Sequence, residues 1–317
     1  MENIGADICV IGAGSAGLSV AAGAAQLGRK AVLIEKGEMG GDCLNAGCVP
    51  SKALIAAGAR AQTIRDAGAF GIDAEPKIDA ARVHVHVQEI IAEIAPNDSQ
   101  ARFEKLGVRV IRAPAHFLDA HTVEAGNFRI RARRFVIATG SRPAIPPIPG
   151  LENVPYFTNE TIFKKDFIPA HLAIIGGGPV GLELAQAHRR LGSRVTVIEM
   201  MRILPHDDED AAGVVREALK REGVHILENT HATAIKPSAN GVSIQLVSLH
   251  GSEILEPSHI LVATGRKPNI EELNLAAAGI AADARVISVV HLRKTSNSHL
   301  YAIVDVTPAP RFTHVAN

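Results

Sequence analysis

Short apolar runs, broken only by Thr196, punctuate the chain at 8–11, 31–34, 135–138, 172–175, 195–198 and 260–263. Runs of this length, bounded by turn residues or charges, suit strands buried on both faces, as in a parallel sheet. An Ala-rich stretch after the first run reads as a helix to Leu27, closed by Gly28. A second helix after the fourth run extends to Leu191 and closes at Gly192. Weaker runs follow each unit: 108–111, 115–118, 122–124 and 128–130 in the first half, and 224–228, 232–236, 242–247 and 254–256 in the second. They predict short strands in two antiparallel meanders. Further helices are expected over 50–65, 82–95, 100–106 and 210–221, a loop over 68–80 and a last strand at 300–303.

Glycines sharpen this pattern. Gly12-Ala13-Gly14-Ser15-Ala16-Gly17 follows the first strand, and Gly176-Gly177-Gly178-Pro179-Val180-Gly181 follows the strand at 172–175. Each is G-x-G-x-x-G between strand and helix, and an acid, Glu35 or Glu199, closes the next strand. The glycines permit a tight turn and close approach to a pyrophosphate, the helix N-terminus faces the phosphates, and the acid accepts from a ribose hydroxyl. Gly12, Gly14, Gly17, Gly28 and Glu35 recur 164 residues later as Gly176, Gly178, Gly181, Gly192 and Glu199. A repeat of this length implies two dinucleotide-binding domains. The expected fold is α/β: two Rossmann-like domains, each with a parallel sheet and an antiparallel meander. Four prolines between 143 and 149 mark one linker and Lys267-Pro268-Asn269 a second. The expected domains are therefore 1–148 and 149–270, with 271–317 returning to the first.

Composition narrows the function. The 317 residues leave room for about two domains. Lys+Arg and Asp+Glu number 33 each, and Trp is absent. Neither the basic field nor the aromatic stacking of a nucleic-acid binder is present. Residues 8–28 carry no charge but include five glycines, so they read as a βα unit rather than a membrane span. The first strand starts too early for a secretory leader, and three cysteines do not make a disulfide scaffold; both favour a reducing, cytoplasmic setting. His84 and His86 are two apart, off a common helical face, so no metal site is expected.

Two cysteines stand in Gly40-Gly41-Asp42-Cys43-Leu44-Asn45-Ala46-Gly47-Cys48-Val49-Pro50-Ser51-Lys52, just past the first unit. Pro50 suits a first helical turn. Cys48 is then close to a helix N-terminus, where partial positive charge favours a thiolate. Spacing alone leaves open two unpaired cysteines in a loop or a redox-active pair. Two nucleotide sites beside the pair favour an electron relay, with a flavin in the first unit and a nicotinamide in the second.

The phosphate loops, the cysteine stretch, Ala138 to Gly140, Gly176 to Glu183, Ala263 to Gly265 and Tyr301 to Asp305 together resemble the class I pyridine nucleotide–disulfide oxidoreductases. That family includes dihydrolipoamide dehydrogenase, glutathione reductase and mercuric reductase. The resemblance implies that Cys43 is the thiol that attacks substrate and Cys48 the thiol beside the flavin. Lys52 would lie near the flavin and pair with Glu183. FAD would be held by Gly12, Gly14, Gly17, Glu35, Gly41, Lys52, Thr139, Gly140 and Asp305, and NAD(H) by Gly176, Gly178, Gly181, Glu199 and Gly265. Glu199 favours NADH over NADPH because an acid repels a 2′-phosphate; nearby Arg202 softens that preference. The implied activity is FAD-dependent transfer between NAD(P)H and a small or protein-bound disulfide, dihydrolipoamide-dehydrogenase-like. The alternatives are mercuric-reductase-like chemistry, or a dinucleotide-binding remnant with at most diaphorase activity.

Two departures stand out. Asp305 follows Val304 where the family has glycine, so a positive φ there would strain a β-branched residue. The family's C-terminal dimerisation domain, with the His–Glu pair serving the partner subunit of its homodimer, is expected to be missing after Asn317. His314 matches a position before that domain and does not replace the base.

Overall fold

In the computed structural model, residues 1–283 and 286–308 are described; His314 lies outside them. The chain folds into two compact units. Unit 1 comprises Met1–Asn45, Ile91–Arg142 and Arg266–Asn317, and unit 2 comprises Ala46–Ile90 and Pro143–Gly265.

The elements in chain order begin with β1 (Glu2–Ile11), α1 (Ser15–Gln26), β2 (Ala31–Glu35) and the short α2 (Gly41–Asn45). Two long helices follow, α3 (Cys48–Asp66) and α4 (Ala80–Ile94), then α5 (Gln100–Lys105). Next come β3 (Arg109–Arg112), β4 (Ala115–Asp119), β5 (Thr122–Ala125), β6 (Phe128–Ile137) and β7 (Ser141–Pro143). The second half contains α6 (Asn159–Ile162), β8 (His171–Ile175), α7 (Pro179–Arg190), β9 (Arg194–Ile198), α8 (Glu209–Arg221) and β10 (His225–Leu227). It continues through β11 (Thr230–Ser238), β12 (Gly241–Ser248), β13 (Gly251–Leu255), β14 (His259–Val262), β15 (Arg266–Pro268) and β16 (Leu300–Ala302).

Unit 1 is built on one seven-stranded sheet in the order β3-β2-β1-β6-β5-β4, with β16 also paired to β6. The apolar runs alternate between its faces. Cys9, Ile11, Val32, Ile34, Phe135 and Ile137 enter one core with Phe117 and Ile130. Val10, Leu33 and Val136 enter another with Ala16, Ala21 and Ala24 of α1. Period-two alternation makes each strand serve both layers. Unit 2 separates its pieces into a parallel sheet, β10-β9-β8-β14, and an antiparallel meander, β11-β12-β13. Ala173, Ile175, Ile198, Ile260 and Val262 of the sheet pack with Ile235, Val242, Ile244 and Leu246 of the meander.

Three expectations are corrected. The run at 108–111 does not join a meander; β3 pairs with β2 in parallel. Its counterpart at 224–228 likewise gives β10, parallel to β9. Each extends the nucleotide sheet outward, because its partner is chosen by a helical crossover rather than by a tight turn. The runs at 128–130 and 135–138 are one ten-residue strand, since nothing in Ala132-Arg133-Arg134 breaks an extended chain. In unit 2 the equivalent stretch contains Pro257, which cannot donate to a ladder, and β13 and β14 stay separate.

Among the described residues no helix is long and apolar enough to cross a membrane. None of their His, Cys, Asp and Glu side chains form a cluster of three or more that could hold a metal.

Candidate active site

The two phosphate loops coincide in hydrogen bonding as well as in sequence. β1 pairs β2 with Ile8 opposite Ala31, and β8 pairs β9 with Leu172 opposite Val195. The Gly12 N–H donates to Ile34 O, and the Gly176 N–H to Ile198 O. A Cβ on Gly17 would lie 1.8 Å from the Gly12 carbonyl oxygen, and one on Gly181 2.1 Å from that of Gly176. Only glycine fits where helix and turn meet this closely.

Each closing acid clasps its own loop. Glu35 Oε2 accepts from the Ala13 N–H (2.6 Å) and Oε1 from the Gly37 N–H (2.6 Å). Glu199 Oε2 accepts from the Gly177 N–H (2.7 Å) and Oε1 from the Met201 N–H (2.9 Å). A carboxylate offers about four lone-pair sites, so each acid can still accept from a ribose hydroxyl.

The helices behind these loops suit anions. The N-caps of α1 and α7, Gly14 and Gly178, make no side-chain capping bond, and neither first turn carries an acid. The leading N–H groups are therefore left for phosphate oxygens. Both loops fit a pyrophosphate-bearing dinucleotide.

The match extends beyond the closing acids. The Gly40 N–H donates to Ala13 O (2.9 Å), and the Leu204 N–H, at the same offset, to Gly177 O (3.0 Å). Both residues have positive φ, 84° and 49°. Leu204 thus occupies a left-handed position that its side chain does not advertise; only the repeat register could have found it.

From there the units diverge. In unit 1, Gly41 follows, and a Cβ on it would come within 2.7 Å of Gly14 Cα. This contact holds the start of α2, and Cys43 within α2, against the first phosphate loop. Asn45 Nδ2 braces the segment by donating to Met39 O and Gly41 O (3.0 and 2.8 Å). Cys48 is the first residue of α3, with Gly47 as N-cap and Pro50 in the first turn. Both cysteines are half-buried.

Lys52 and Glu183 meet as expected: Lys52 Nζ donates to Oε1 and Oε2, both at 2.8 Å. The pair joins α3 to α7, which also touch where Gly58 approaches Ala187 and where Arg65 Nη1 donates to Arg190 O (2.7 Å). The two side chains are 59% and 41% exposed, so the ion pair itself contributes at most about 1 kcal/mol.

Asp305 enters a network that the sequence did not reveal. Its Oδ2 accepts from Ser141 Oγ and lies 3.7 Å from Arg266 Nε. Arg266 donates to Ser141 Oγ (2.6 Å) and pairs with Asp42 (3.1 Å). Thr139 and Gly140 are fastened to Asn269: Thr139 Oγ1 donates to Asn269 O (2.7 Å), and the Asn269 N–H donates to Gly140 O (2.9 Å). Gly265 has φ +124° and open space beside it. Val304 has φ +58°, so the strain expected of a β-branched residue in place of glycine is present.

Residues 6–317 match the family described as pyridine nucleotide-disulphide oxidoreductase. The chain belongs to that family. Among curated members, the mercuric reductase of Lysinibacillus sphaericus is 35% identical over 314 residues, covering 98% of this chain and 57% of that protein. The dihydrolipoyl dehydrogenase of Thermus scotoductus is 36% identical over 317 residues, covering 98% and 68%. The chain therefore spans a little over half to about two thirds of these relatives' length. Among solved structures, the HOCl-induced flavoprotein disulfide reductase RclA of Escherichia coli, as its Cu(II) complex, superposes with a TM-score of 0.84 at 28% identity. That match covers 98% of this chain and 68% of RclA. Members of the family are oxidoreductases.

Proposed function

We propose that the chain is the dinucleotide-binding and thiol-bearing part of an FAD-dependent oxidoreductase. It passes electrons between NAD(P)H and a Cys43–Cys48 disulfide, with dihydrolipoamide-dehydrogenase-like chemistry as the leading reading. The observation that carries this is the seating of the Cys43 segment against the first phosphate loop through Gly40 and Gly41. Bound FAD would supply two-electron transfer between nicotinamide and disulfide.

The chain's own residues have distinct tasks. The α1 N-terminus and Glu35 bind one dinucleotide, and the α7 N-terminus and Glu199 the other. Cys43 and Cys48 accept an electron pair as their S–S bond breaks and two protons are taken up. They return the pair when Cys43 attacks a substrate disulfide. Cys48 benefits from the positive end of α3. Lys52, held by Glu183, places a cation on the same first turns of α3.

The nicotinamide partner is read as NADH. Arg202 does not await a 2′-phosphate: it donates to Leu204 O and Asp207 O (2.9 and 2.8 Å) and pairs with Glu209 (2.9 Å). A mercuric-reductase-like second reading draws on the relatives of that name, which the chain resembles as closely as it does the dehydrogenase. It uses the same thiol pair, with a thiophilic metal ion as electron acceptor.

The test is anaerobic titration of the flavin-loaded protein. NADH, and not equal NADPH, is expected to bleach the visible flavin band and raise a long-wavelength band that Cys48→Ser removes. Bleaching with an unchanged spectrum in Cys48→Ser would sink the relay. Turnover with dihydrolipoamide against Hg(II) then separates the two readings.

A further inference from the structure

A basic cleft of about 700 Å³ lies in unit 1, apart from the loop and cysteine residues described above. Its walls come from the middle of β6, the early part of β1, the residue before β2, the β4–β5 turn and the residue before β16. Lys30, Arg131, Arg133 and Arg134 line it, against one carboxylate, Asp7. Such a concentration contrasts with a whole chain of zero formal charge.

These cations are poorly neutralised. Lys30 and Arg131 have no carboxylate within salt-bridge distance among the described residues. Arg133 reaches Asp7 only at 3.8 Å, and the other Asp7 oxygen accepts the Lys30 backbone N–H (3.0 Å). Arg134 Nη1 donates to His299 Nδ1 (2.8 Å) rather than to an acid, and the His299 ring meets His121 edge-on at 5.0 Å. With Nδ1 accepting from Arg134, the neutral His299 ring carries its proton on Nε2 and remains a donor. Four like charges in one cleft repel one another, and a bound polyanion relieves that repulsion. The floor at Gly5 is open: a Cβ built there meets nothing within 4 Å.

We propose that this cleft is a binding site for a small ligand with two phosphate groups, of the pyrophosphate or sugar-bisphosphate class. Its volume falls in the range of small-molecule sites. Two phosphates suit the excess of cations, because guanidinium forks pair phosphate oxygens two at a time. The lining has no Phe, Tyr or Trp on which a nucleic-acid base could stack. The ligand would sit on the strand that leads to Thr139 and Gly140, but on its earlier residues.

Calorimetric titration of the flavin-loaded chain tests this, with the phosphate loop of unit 1 already filled. Inorganic pyrophosphate and fructose 1,6-bisphosphate are the two probes, and the tighter one identifies the source of the phosphates. Saturable binding that weakens with added salt is expected for at least one. The double variant Lys30→Gln/Arg131→Gln should weaken it by at least about 30-fold, consistent with loss of two charge-assisted contacts. Gly5→Leu keeps every charge but fills the floor, and should weaken it by at least about tenfold through steric exclusion. Unchanged flavin content in each variant shows that unit 1 has folded. Absence of saturable binding by both probes overturns the proposal. So does binding insensitive to the double variant. Loss in the charge variant with none in Gly5→Leu reveals diffuse attraction, not a site, and also overturns it.

Discussion

The two phosphate loops are the same device carried to different ends. From β1 to Gly40 and from β8 to Leu204, strand register, glycine contacts, carboxylate clasps and the returning N–H coincide at one offset. One residue later they part. Unit 1 continues with Gly41, whose bare Cα lets the chain lie against Gly14 and then turn into the Cys43 helix. Unit 2 continues with Pro205 and reaches α8, whose N-cap Asp208 accepts from the Asp210 and Ala211 N–H groups. The lesson is that the dinucleotide cradle is generic. The chemistry depends on what the chain does after the cradle is closed.

The sharpest way to break this comparison is to damage each cradle at the same place. Gly17→Ala and Gly181→Ala each force a Cβ onto a backbone carbonyl, an overpacking cost of up to about 3 kcal/mol, or roughly 100-fold in affinity. Gly17→Ala should strip flavin, read as visible absorbance per protein. Gly181→Ala should keep flavin and raise the NADH concentration needed for bleaching. If Gly181→Ala lost flavin while Gly17→Ala kept it, the assignment of cofactors to units would be reversed.

A comparable effect separates the units by pH. Buried His188 in α7 stands where unit 1 has Ala24, and burial lowers its pKa to about 3. The folded protein keeps this ring neutral, whereas the unfolded chain protonates it below about 6.5. Its contribution is intact above that pH and fades as pH falls towards 3, at up to about 1.4 kcal/mol per pH unit. Denaturant titrations between pH 7 and 4 should show this slope, reduced in His188→Gln. An unchanged slope would assign the acid sensitivity to another group.

The smallest effect concerns Val304. Releasing its left-handed strain with Val304→Gly should stabilise unit 1 by about 1 kcal/mol, seen as a rise of a few degrees in Tm, and should tighten flavin binding several-fold. A lower Tm with weaker flavin would show that the valine side chain contributes more by packing than its backbone loses by strain.

Much of this was legible in the sequence because it is local. Four-residue apolar runs, glycine spacing and the two closing acids each report on a single strand or turn, and Cys48 with Pro50 announced the start of α3. What was not legible depends on partners distant in the chain. β3 and β10 look like meander strands until their parallel neighbours are known. The Arg266 network draws on Asp42, Ser141 and Asp305, from three separate segments. α2 is five residues long, too short to show a period. Leu204 gave no local sign of its conformation, although the repeat offset, carried past Glu199, would have pointed to it.

The undivided β6 strand also bears on how each half of the molecule can change over generations. Its first residues pair with β5 and its last with β16, while β1 runs alongside from end to end. An insertion or deletion in the middle of β6 shifts every later residue to the opposite face and misplaces Thr139 and Gly140. In unit 2, Glu256-Pro257-Ser258 separates β13 from β14 and can absorb a change in length. The second unit is free to lengthen or shorten its meander, whereas the first must keep its count.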